Sequence, residues 1–510
     1  GDNDDEQPAN SGTFKKKNKV FPVDINEYNA RIALQHEVKI SPQSQIVQSI
    51  LKEWANSKKI FRYIYRASYT DSRFKSAYQY DLSIVKSSSL ARGNRIPEPT
   101  FTLEQSNVLN NQETYEIEQE HQYEEFNYMD KVNKGDNVTI DEKVDILYDD
   151  TKKAIKLVQS AIQKTNYPIT MTEQNTVLQN YVALFDPRKI HNFNTESKKR
   201  SAGNKNFTSY YRALPREFIG PSSYTLQINN IVQNDENSKE TNIRNDYSVT
   251  EKADGIRKLL YIARNSKIYM IDMNMDVQFT GTKTDNENLL NTLIDGEHIL
   301  HDKTGKYINL FAAFDVYFIN GNDCRNNNFY ENPNSEETAK PENKSKRKTR
   351  KETKDYCRYL ILKYVTNKIE LQSINAEKLS PMKIITKEFH TVLSSNDSPD
   401  TNIFTACSRI MYKIKTGGFS YETDGLIFTP CYGGVGVDAD TRRPVNYKKS
   451  WSKSFKWKPA HFNTIDFLIT VDKRENGSDI IKNIFEQGKD LSSGMDEIIK
   501  YKTLTLRVGF

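Results

Sequence analysis

The sequence predicts an α+β protein of about three domains in which antiparallel strands predominate. The chain has 510 residues, of which 36% are hydrophobic, and this is enough for several ordinary cores. Polar and apolar residues alternate in segments rich in Tyr, Ile and Val, first over residues 29–122 and again from Phe218 to Pro459. Helical patterns occur as single segments among these strands.

The composition excludes several classes of protein. No run approaches the roughly 18 apolar residues of a membrane helix, and the first residues, GDNDDEQPANSGT, are acidic and polar, unlike a signal peptide. We therefore expect a soluble, intracellular protein with no membrane partner. The four cysteines are scattered without CxxC spacing, so reduced thiols are expected instead of disulfides or a zinc site.

The formal net charge is only +6, but basic residues are concentrated in three segments. Each segment can attract a polyphosphate or a nucleic acid, although such a segment is more often a solvated loop. The three segments are FKKKNK, NTESKKRSAGNK and KSKRKTRKETK.

The first strand-rich region contains four strand patterns: ARIALQHEVKI, KIFRYIYRASYT, RFKSAYQYDLSIVKSS and ETYEIEQEH. Basic and acidic side chains inside a tunnel of antiparallel strands can bind a triphosphate and a divalent cation. An amphipathic sheet with a polar outer face explains the pattern equally well. The polar strand residues concerned are Arg66, Arg73, Asp81, Lys86, Glu116, Glu118 and Glu120.

Helical spacing predicts a short helix in SQIVQSILKEW and a long amphipathic helix from Asp141 to Lys164 that braces the strands. The composition of Asn192 to Asn206 predicts a linker, and NNNFYENPNSEETAKPENKSKRKTRKETK predicts a flexible surface insertion. After Pro459 only two strand patterns follow, TIDFLITV and TLTLRVGF. Two strands are too few for a stable domain, so we expect the sequence to end inside a third domain.

Lys252 lies in EKADGIR, at the end of an apolar segment and just before an Asp-Gly turn. A lysine at a strand end is costly unless its charge is paired or its pKa is lowered, and a neutral amine can attack phosphorus. When the segment around Lys252 is taken alone, a surface lysine before a β-turn is the commoner explanation.

Four later segments favour a nucleophilic Lys252 over an ordinary surface lysine. LIDGEHI places Asp295 and Glu297 at a strand start, where they could hold a hard cation, and FAAFDVYFING offers the ring of Phe314 to a purine. YETDGLIFTP repeats the acidic-Gly-apolar pattern. KSFKWKP places Lys456 and Lys458 on one strand face as two cations for a phosphate. Each segment is weak evidence alone, whereas the ordered set is strong.

In this order the segments resemble motifs I, III, IIIa, IV and V of the covalent nucleotidyltransferase superfamily, which includes mRNA guanylyltransferases and ATP-dependent ligases. The resemblance covers about Phe218 to Phe510. Asp424-Gly425 and FKWKP are similar to guanylyltransferases, since ligases usually carry Glu-Gly and a Leu-Lys type motif V. REFIGPSSYTLQINNI further resembles the first segment of capping enzymes from large DNA viruses.

The resemblance implies that Lys252 attacks the α-phosphate of GTP and forms a lysyl-GMP phosphoramidate, with Mg²⁺ or Mn²⁺ as cofactor. It implies nucleotide contacts from Asp254, Gly255, Arg257, Glu297, Phe314, Asp424, Lys456 and Lys458, with Glu297 and Asp424 on the metal side. Cellular capping enzymes carry an arginine in the strand after motif I. Met273 takes that place here, so the ribose-binding residue is left open.

The N-terminal strands resemble the RNA 5′-triphosphatase of the triphosphate tunnel family, as fused to guanylyltransferases in poxvirus-, asfarvirus- and mimivirus-like enzymes. ARIALQHE is similar to an internal tunnel strand with Arg31 and Glu37 as polar members, and Glu116 and Glu118 would bind metal. The family's earlier Glu-x-Glu strand is not found. Motif VI and a methyltransferase pattern are also not found, so we expect either a fragment of a longer enzyme or a triphosphatase region without activity.

The resulting expectation is a partial triphosphatase tunnel with its bracing helix (residues 1–190), a linker (191–217), a guanylyltransferase domain of ATP-grasp/ligase-like type (218–459) and the start of an OB-fold (460–510). Expected partners are the RNA 5′ end, GTP, a methyltransferase domain or subunit, and the viral transcription machinery. The expected location is cytoplasmic, in a viral factory or virion, with the nucleus left open. An ATP-dependent RNA or DNA ligase and a degenerate RNA-binding scaffold are the alternatives.

Overall fold

The structure is a computed structural model, and it confirms an α+β protein with mainly antiparallel sheets. None of its described helices is long and apolar enough to cross a membrane. The residues that the structure describes are 14–70, 78–90, 96–121, 140–202, 209–233, 240–331, 356–375, 380–392, 402–462, 464, 466–475, 477–485 and 498–508.

The α-helices are α1 Gln45–Lys52, α2 Leu103–Ser106, α3 Ile140–Gln163, α4 Met171–Phe185, α5 Pro187–Ala202, α6 Arg358–Lys368 and α7 Ile403–Lys415. The strands are β1 Phe14–Ile25, β2 Ala30–Ile40, β3 Arg62–Thr70, β4 Tyr78–Ser87, β5 Thr114–His121, β6 Ser222–Thr225, β7 Tyr247–Ala253, β8 Ile256–Ile262, β9 Lys267–Asp272, β10 Val277–Lys283, β11 Thr292–His301, β12 Tyr307–Ile319, β13 Asn322–Asp323, β14 Gln372–Ser373, β15 Lys383–Thr386, β16 His390–Val392, β17 Thr423–Pro430, β18 Ser450–Trp457, β19 Leu468–Val471, β20 Ile481–Phe485, β21 Ile498–Lys502 and β22 Leu504–Arg507.

The N-terminal strands form two separate antiparallel sheets, a β1–β2 hairpin and a three-stranded sheet in the order β3-β4-β5. The alternation of the sequence thus predicted β2 to β5 correctly but missed β1, which contains the basic segment FKKKNK, and the predicted helices at α1 and α3 are confirmed. The central strand β4 of the three-stranded sheet contacts α3, where the hydroxyl groups of Tyr78 and Thr151 lie 2.7 Å apart. A closed tunnel remains a prediction.

The predicted linker is wrong over most of its length, because α5 runs from Pro187 to Ala202. The start of this helix follows ordinary capping chemistry. The side chain of Asp186 accepts a hydrogen bond from the backbone N–H of Lys189 at 3.1 Å, and Pro187 occupies the first helical position. Basic residues at 199 and 200 then stabilise the C-terminal turn of the helix.

Two sheets form the central part of the chain. The larger has the strand order β13-β12-β11-β8-β9-β10-β14, with β15 parallel to β12, and the smaller has the order β16-β7-β17-β18-β6. Helices α4 and α5 pack on one face of the larger sheet through Tyr181 and Ile190, and α6 packs on the other face through Leu362. Helix α7 covers one face of the smaller sheet. The opposite face of the smaller sheet carries polar residues, of which Ser248 and Thr250 are buried.

The segment between α3 and α4 lies close against the larger sheet. A Cβ added at Gly281, whose φ is +75°, would lie 2.3 Å from the ring of Tyr167, so only glycine leaves space for this ring. The hydroxyl of Thr165 donates to the carbonyl of Phe279 at 2.7 Å. The N-terminal helices are thus part of the support of the central sheet.

The predicted surface insertion is only partly described. Its first residues pack into the core, where Phe329 is 1% exposed and its ring centroid lies 4.8 Å from that of Phe389. Residues 332–355 lie outside the described ones. Beyond Pro459, β19 pairs with β22 and β20 with β21, which gives four strands where two were predicted. The OB-fold remains a prediction.

Candidate functional site

Lys252 lies at the end of β7 and is paired with a carboxylate from the neighbouring strand. Its Nζ atom lies 2.7 Å from Oδ1 and 2.9 Å from Oδ2 of Asp424. The Nζ atom of Lys458 lies 2.7 Å from Oδ2 of the same carboxylate. Burial alone would raise the pKa of the Asp424 carboxyl, but the hydrogen bonds from Lys252 and Lys458 outweigh burial and lower this pKa. One carboxylate therefore holds two lysines together.

Strand register explains why these residues meet. Lys252 is opposite Gly425 in the β7–β17 pair, and Ile427 is opposite Lys456 in the β17–β18 pair. Since alternate residues of a strand share a face, Lys252 and Lys456 lie on the same face of the smaller sheet, opposite the face covered by α7. Lys456 is half-buried there. The predicted grouping of the three lysines around one face is thus present.

Gly425 is required by a close backbone approach. Its φ is +152°, and a Cβ at this position would lie 1.9 Å from the carbonyl oxygen of Trp457. The glycine lets β18 approach β17 closely just before Lys458. The Asp-Gly pattern at 424 and 425 therefore has two roles, since the aspartate pairs with the lysines and the glycine allows the strands to approach.

Arg257 begins the next strand after the Asp-Gly turn and is held by buried groups. Its Nε atom donates to Oδ1 of Asp295 at 3.0 Å, and its Nη1 atom donates to the carbonyl of Pro221 at 2.6 Å. The hydroxyl of Tyr317 also donates to Asp295. Asp295 is fully buried, and it lies inside β11 instead of at a strand start. The expectation that Asp295 is available to a cation is therefore wrong, because Arg257 and Tyr317 occupy it.

Glu297 differs from Asp295 because its side chain makes no ion pair or hydrogen bond with any described residue. Burial raises the pKa of its carboxyl to about 7, although the charges of Lys387, Arg257 and Lys252 oppose this shift. Its chain packs on the turn after Lys252, since a Cβ at Gly255 would lie 2.7 Å from Cγ of Glu297. Glu297 is thus an unpaired carboxylate surrounded by cations, available to a ligand.

Phe314 is the half-buried member of an otherwise buried run in β12. Its ring centroid lies 5.5 Å from Cζ of Arg257 and 6.0 Å from Nζ of Lys387, which links it to the residues around Lys252. The neighbouring Asp315 is not available to bind a ligand, because its carboxylate forms an ion pair at 2.8 Å with the fully buried Arg358.

Lys387 is a residue that the sequence reasoning missed. It is 5% exposed, its Nζ atom lies 3.3 Å from Oε1 of Glu251, and it donates to the carbonyl of Glu251. Tyr421 donates to Oε1 of Glu251 at 2.8 Å. This network fixes the strand residue that precedes Lys252. A single lysine after a short strand carries no sequence signal that distinguishes it from surface lysines.

The remaining nucleotide candidates are also located. Asp254 is exposed in the turn, and its backbone N–H donates to the carbonyl of Glu422 at 2.9 Å. Met273 is 41% exposed, and its Sδ atom lies 4.0 Å from Nζ of Lys448. Neither contact identifies a ribose-binding group.

The three-stranded sheet carries a polar face with alternating charges. Nη2 of Arg62 lies 2.8 Å from Oε2 of Glu116, and Nη1 of Arg66 lies 2.9 Å from Oδ2 of Asp81. Arg66 also pairs with Glu118. Burial would raise the pKa of Asp81, but hydrogen bonds from Ser68 and Gln79 and the charge of Arg66 lower it. Arg62 was missed by the sequence reasoning, although it has the strand parity of Arg66.

Two other triphosphatase candidates, Lys86 and Arg31, do not join this face. Lys86 has the opposite strand parity and donates to the carbonyl of Leu109 at 3.0 Å. Arg31 lies in the β1–β2 hairpin and pairs with Asp24. The side chain of Glu37, and Arg73 as a whole, lie outside what the structure describes.

The acidic groups can be tested for their fit to a metal ion. Within the described ranges, no group of three or more His, Cys, Asp or Glu side chains could hold one. Mg²⁺ is, however, commonly bound by only one or two carboxylates together with substrate phosphates. Glu297 fits that pattern because its carboxylate is unpaired, whereas Asp424, Glu116 and Glu118 are each paired with lysine or arginine.

Two comparisons with known proteins give matches to this chain. Residues 233–391 match the family described as mRNA capping enzyme, catalytic domain. The chain is 27% identical over 346 residues to a probable mRNA-capping enzyme of Acanthamoeba polyphaga mimivirus, covering 63% of this chain and 24% of that protein. The chain is thus similar to a probable viral mRNA-capping enzyme, and it spans about a quarter of the length of this curated relative.

Proposed function

We propose that the chain is an mRNA guanylyltransferase that transfers GMP from GTP to the 5′-diphosphate end of RNA through Lys252. The observation that carries this proposal is the meeting of Lys252, Asp424 and Lys458 at the face of the smaller sheet opposite α7, with Lys456 beside them. A nucleophilic amine next to fixed cations is what covalent transfer of a phosphoryl group needs.

The reaction has two steps. In the first, the neutral amine of Lys252 forms a bond to the α-phosphorus, the bond to the β-phosphate oxygen breaks, and pyrophosphate leaves. In the second, an oxygen of the RNA 5′-diphosphate attacks the same phosphorus, the N–P bond breaks, and the lysine is restored. Lys252 must release its proton to water before the first step, which the 24% exposure of its side chain allows, and its ion pair with Asp424 must break when the substrate binds.

The residues around Lys252 would each contact a different part of the nucleotide or its metal ion. Lys456 and Lys458 neutralise the α-phosphate, and Phe314 supplies a ring on which the guanine stacks. Arg257, fixed by Asp295, contacts the ribose or phosphates. Glu297 would hold Mg²⁺ or Mn²⁺, which supplies charge neutralisation on the triphosphate when bound.

The direct test is incubation with α-labelled GTP, or with α-labelled ATP, followed by denaturing electrophoresis. We expect a covalent, acid-labile and alkali-resistant adduct with GTP, lost in Lys252→Arg and retained in the exposed control Lys306→Arg. An adduct with ATP alone would indicate a ligase. Absence of any adduct would indicate a non-enzymatic scaffold.

A second activity is supported by the polar face of the three-stranded sheet, where Arg62 and Arg66 lie among Asp81, Glu116 and Glu118. We propose that this face acts on the 5′-triphosphate of RNA and releases its γ-phosphate. The doubly substituted chain Glu116→Gln/Glu118→Gln should lose phosphate release, whereas the exposed control Glu98→Gln should keep it. Equal release of phosphate by wild type and by both variants would show that this face is not a triphosphatase site.

A further inference from the structure

Exposed basic side chains from three segments form a cluster between α5 and the start of β18. None of them makes an ion pair with any residue that the structure describes, so their charges are available to an anion. We call this cluster the basic surface, and its members are Arg188, Arg216, Arg442, Arg443 and Lys448.

Hydrogen bonds bring the three segments together. The backbone N–H of Lys448 donates to the carbonyl of Arg216 at 2.6 Å. Nδ2 of Asn446 donates to the carbonyl of Phe185 at 2.9 Å, and Phe185 is the last residue of α4, just before the first turn of α5 with Arg188. Residues that are distant in sequence therefore meet at one surface.

The segment that contains Arg442 and Arg443 is held from beneath by a buried arginine. Arg325 is 4% exposed, and it donates to the carbonyl of Val445 at 3.3 Å and to Oδ1 of Asn446 at 3.1 Å. Arg442 and Arg443 lie within four residues of Asn446 in the chain, which is a reach of no more than about 14 Å. Because the segment is already anchored, little ordering entropy opposes binding of a ligand.

The neighbouring carboxylates do not neutralise this surface. Nζ of Lys449 lies 2.9 Å from Oδ2 of Asp438 and 3.3 Å from Oδ1 of Asp440. Both aspartates that precede Arg442 and Arg443 are thus paired with Lys449. An exposed group of unpaired cations is the feature by which proteins bind the phosphate backbone of a nucleic acid, whatever its base sequence.

The basic surface lies next to the candidate nucleotide site. The N–H of Ser222 donates to the carbonyl of Lys449 at 2.8 Å, and Nη1 of Arg257 donates to the carbonyl of Pro221 at 2.6 Å. Because Pro221 and Ser222 share a peptide bond, the carbonyl oxygen of Lys449 lies no more than about 8 Å from the guanidinium group of Arg257. That guanidinium group is also the one that contacts the ring of Phe314.

Strand β6 gives the distance from this surface to Lys456. Ser222 and Thr225, the two ends of β6, are the register partners of Ser450 and Lys456 in β18. Three residues of strand span about 10 Å. An RNA whose 5′ phosphates contact Lys456 can therefore continue onto the basic surface with its next phosphates.

We propose that the basic surface binds the phosphate backbone of the acceptor RNA, beyond the 5′ end that reacts at Lys252. The proposal rests on the proposed guanylyltransferase function and adds the surface that holds its RNA substrate. Each phosphate that a cation neutralises contributes about 0.7 to the slope of log affinity against log salt concentration for a single strand. RNA binding at this surface should thus weaken with salt and be independent of base sequence.

The first measurement is fluorescence anisotropy with the whole chain and a twelve-nucleotide 5′-diphosphate RNA, at 50 to 200 mM salt. Arg442→Gln/Arg443→Gln should reduce the salt slope by about 1.4, so that its loss of affinity over this range is about 7-fold smaller than in wild type. Arg442→Lys/Arg443→Lys keeps both charges and should keep the wild-type slope. The control Arg409→Gln/Lys415→Gln removes two exposed cations from α7, on the other side of the smaller sheet, and should also keep it.

The second measurement separates this inference from the proposed function. Formation of lysyl-GMP from GTP alone should be the same in wild type and Arg442→Gln/Arg443→Gln, whereas KM for RNA in the transfer step should rise at 50 mM salt in this variant with kcat unchanged. If wild type forms no adduct, the proposed function fails, and anisotropy still decides whether the basic surface binds RNA. If the adduct forms but this variant and the α7 control show the same salt slope and the same KM, the basic surface is not an RNA site.

Discussion

Gly425→Ala tests how backbone packing places the lysines of the candidate site. A Cβ at this position would lie 1.9 Å from the carbonyl oxygen of Trp457. Carbon and oxygen atoms approach each other to about 3.3 Å in strand contacts, so β18 must move away by about 1.4 Å. Because Trp457 directly precedes Lys458, this movement separates Lys458 from Asp424.

Gly425→Ala should lower the free energy of unfolding by two contributions. The unfavourable φ of +152° costs about 1–3 kcal/mol, and overpacking costs about 1–3 kcal/mol more. Gly305→Ala is the matched control, because its φ is +80° and a Cβ there meets no heavy atom within 4 Å. In Gly305→Ala only the unfavourable φ lowers the free energy of unfolding, because the added Cβ meets no neighbouring atom.

Two assays measure the effect. In a domain of this size each kcal/mol lowers Tm by about 2–4 °C, so calorimetry should place Gly425→Ala about 2–12 °C below Gly305→Ala. The rate of adduct formation from labelled GTP should fall in Gly425→Ala and remain at the wild-type value in Gly305→Ala. Equal Tm and equal rates for the two variants would show that the approach of Trp457 to Gly425 does not position Lys458.

Three further predictions follow from the same geometry. Burial raises the pKa of Glu297 to about 7, so GTP affinity in the presence of Mg²⁺ should rise as the pH increases through 7, and Glu297→Gln should abolish this dependence in a calorimetric titration. Arg257→Lys should lower the free energy of unfolding by about 2–4 kcal/mol in urea, because Asp295 stays fully buried with weaker pairing; an unchanged value would refute this. Phe329→Ala should cost about 3–5 kcal/mol, and a cost below 1 kcal/mol would show that the start of the insertion is not core.

Much of the fold follows from local patterns. The alternation in β2, β3 and β5 and the apolar stripe of α3 predict those elements because one face of each is more polar than the other. The grouping of Lys252, Lys456 and Lys458 could also be predicted, since each belongs to a short pattern with a fixed strand parity.

Other features depend on contacts between distant segments and have no local signal. Lys387 resembles any lysine until β15 brings it to Glu251, and Asp295 appears available until Arg257 and Tyr317 occupy it. The helix α5 is a different case. Asp186 and Pro187 mark its start, but the linker prediction rested only on the polar composition of residues 192–206.

The most direct test of the account is the chemical identity of the residue that carries the nucleotide. The protein is incubated with GTP and Mg²⁺, digested, and mapped by mass spectrometry. The account predicts a guanylate on the peptide containing Lys252 and on no other peptide. A guanylate on a different lysine, with the Lys252 peptide unmodified, would contradict it.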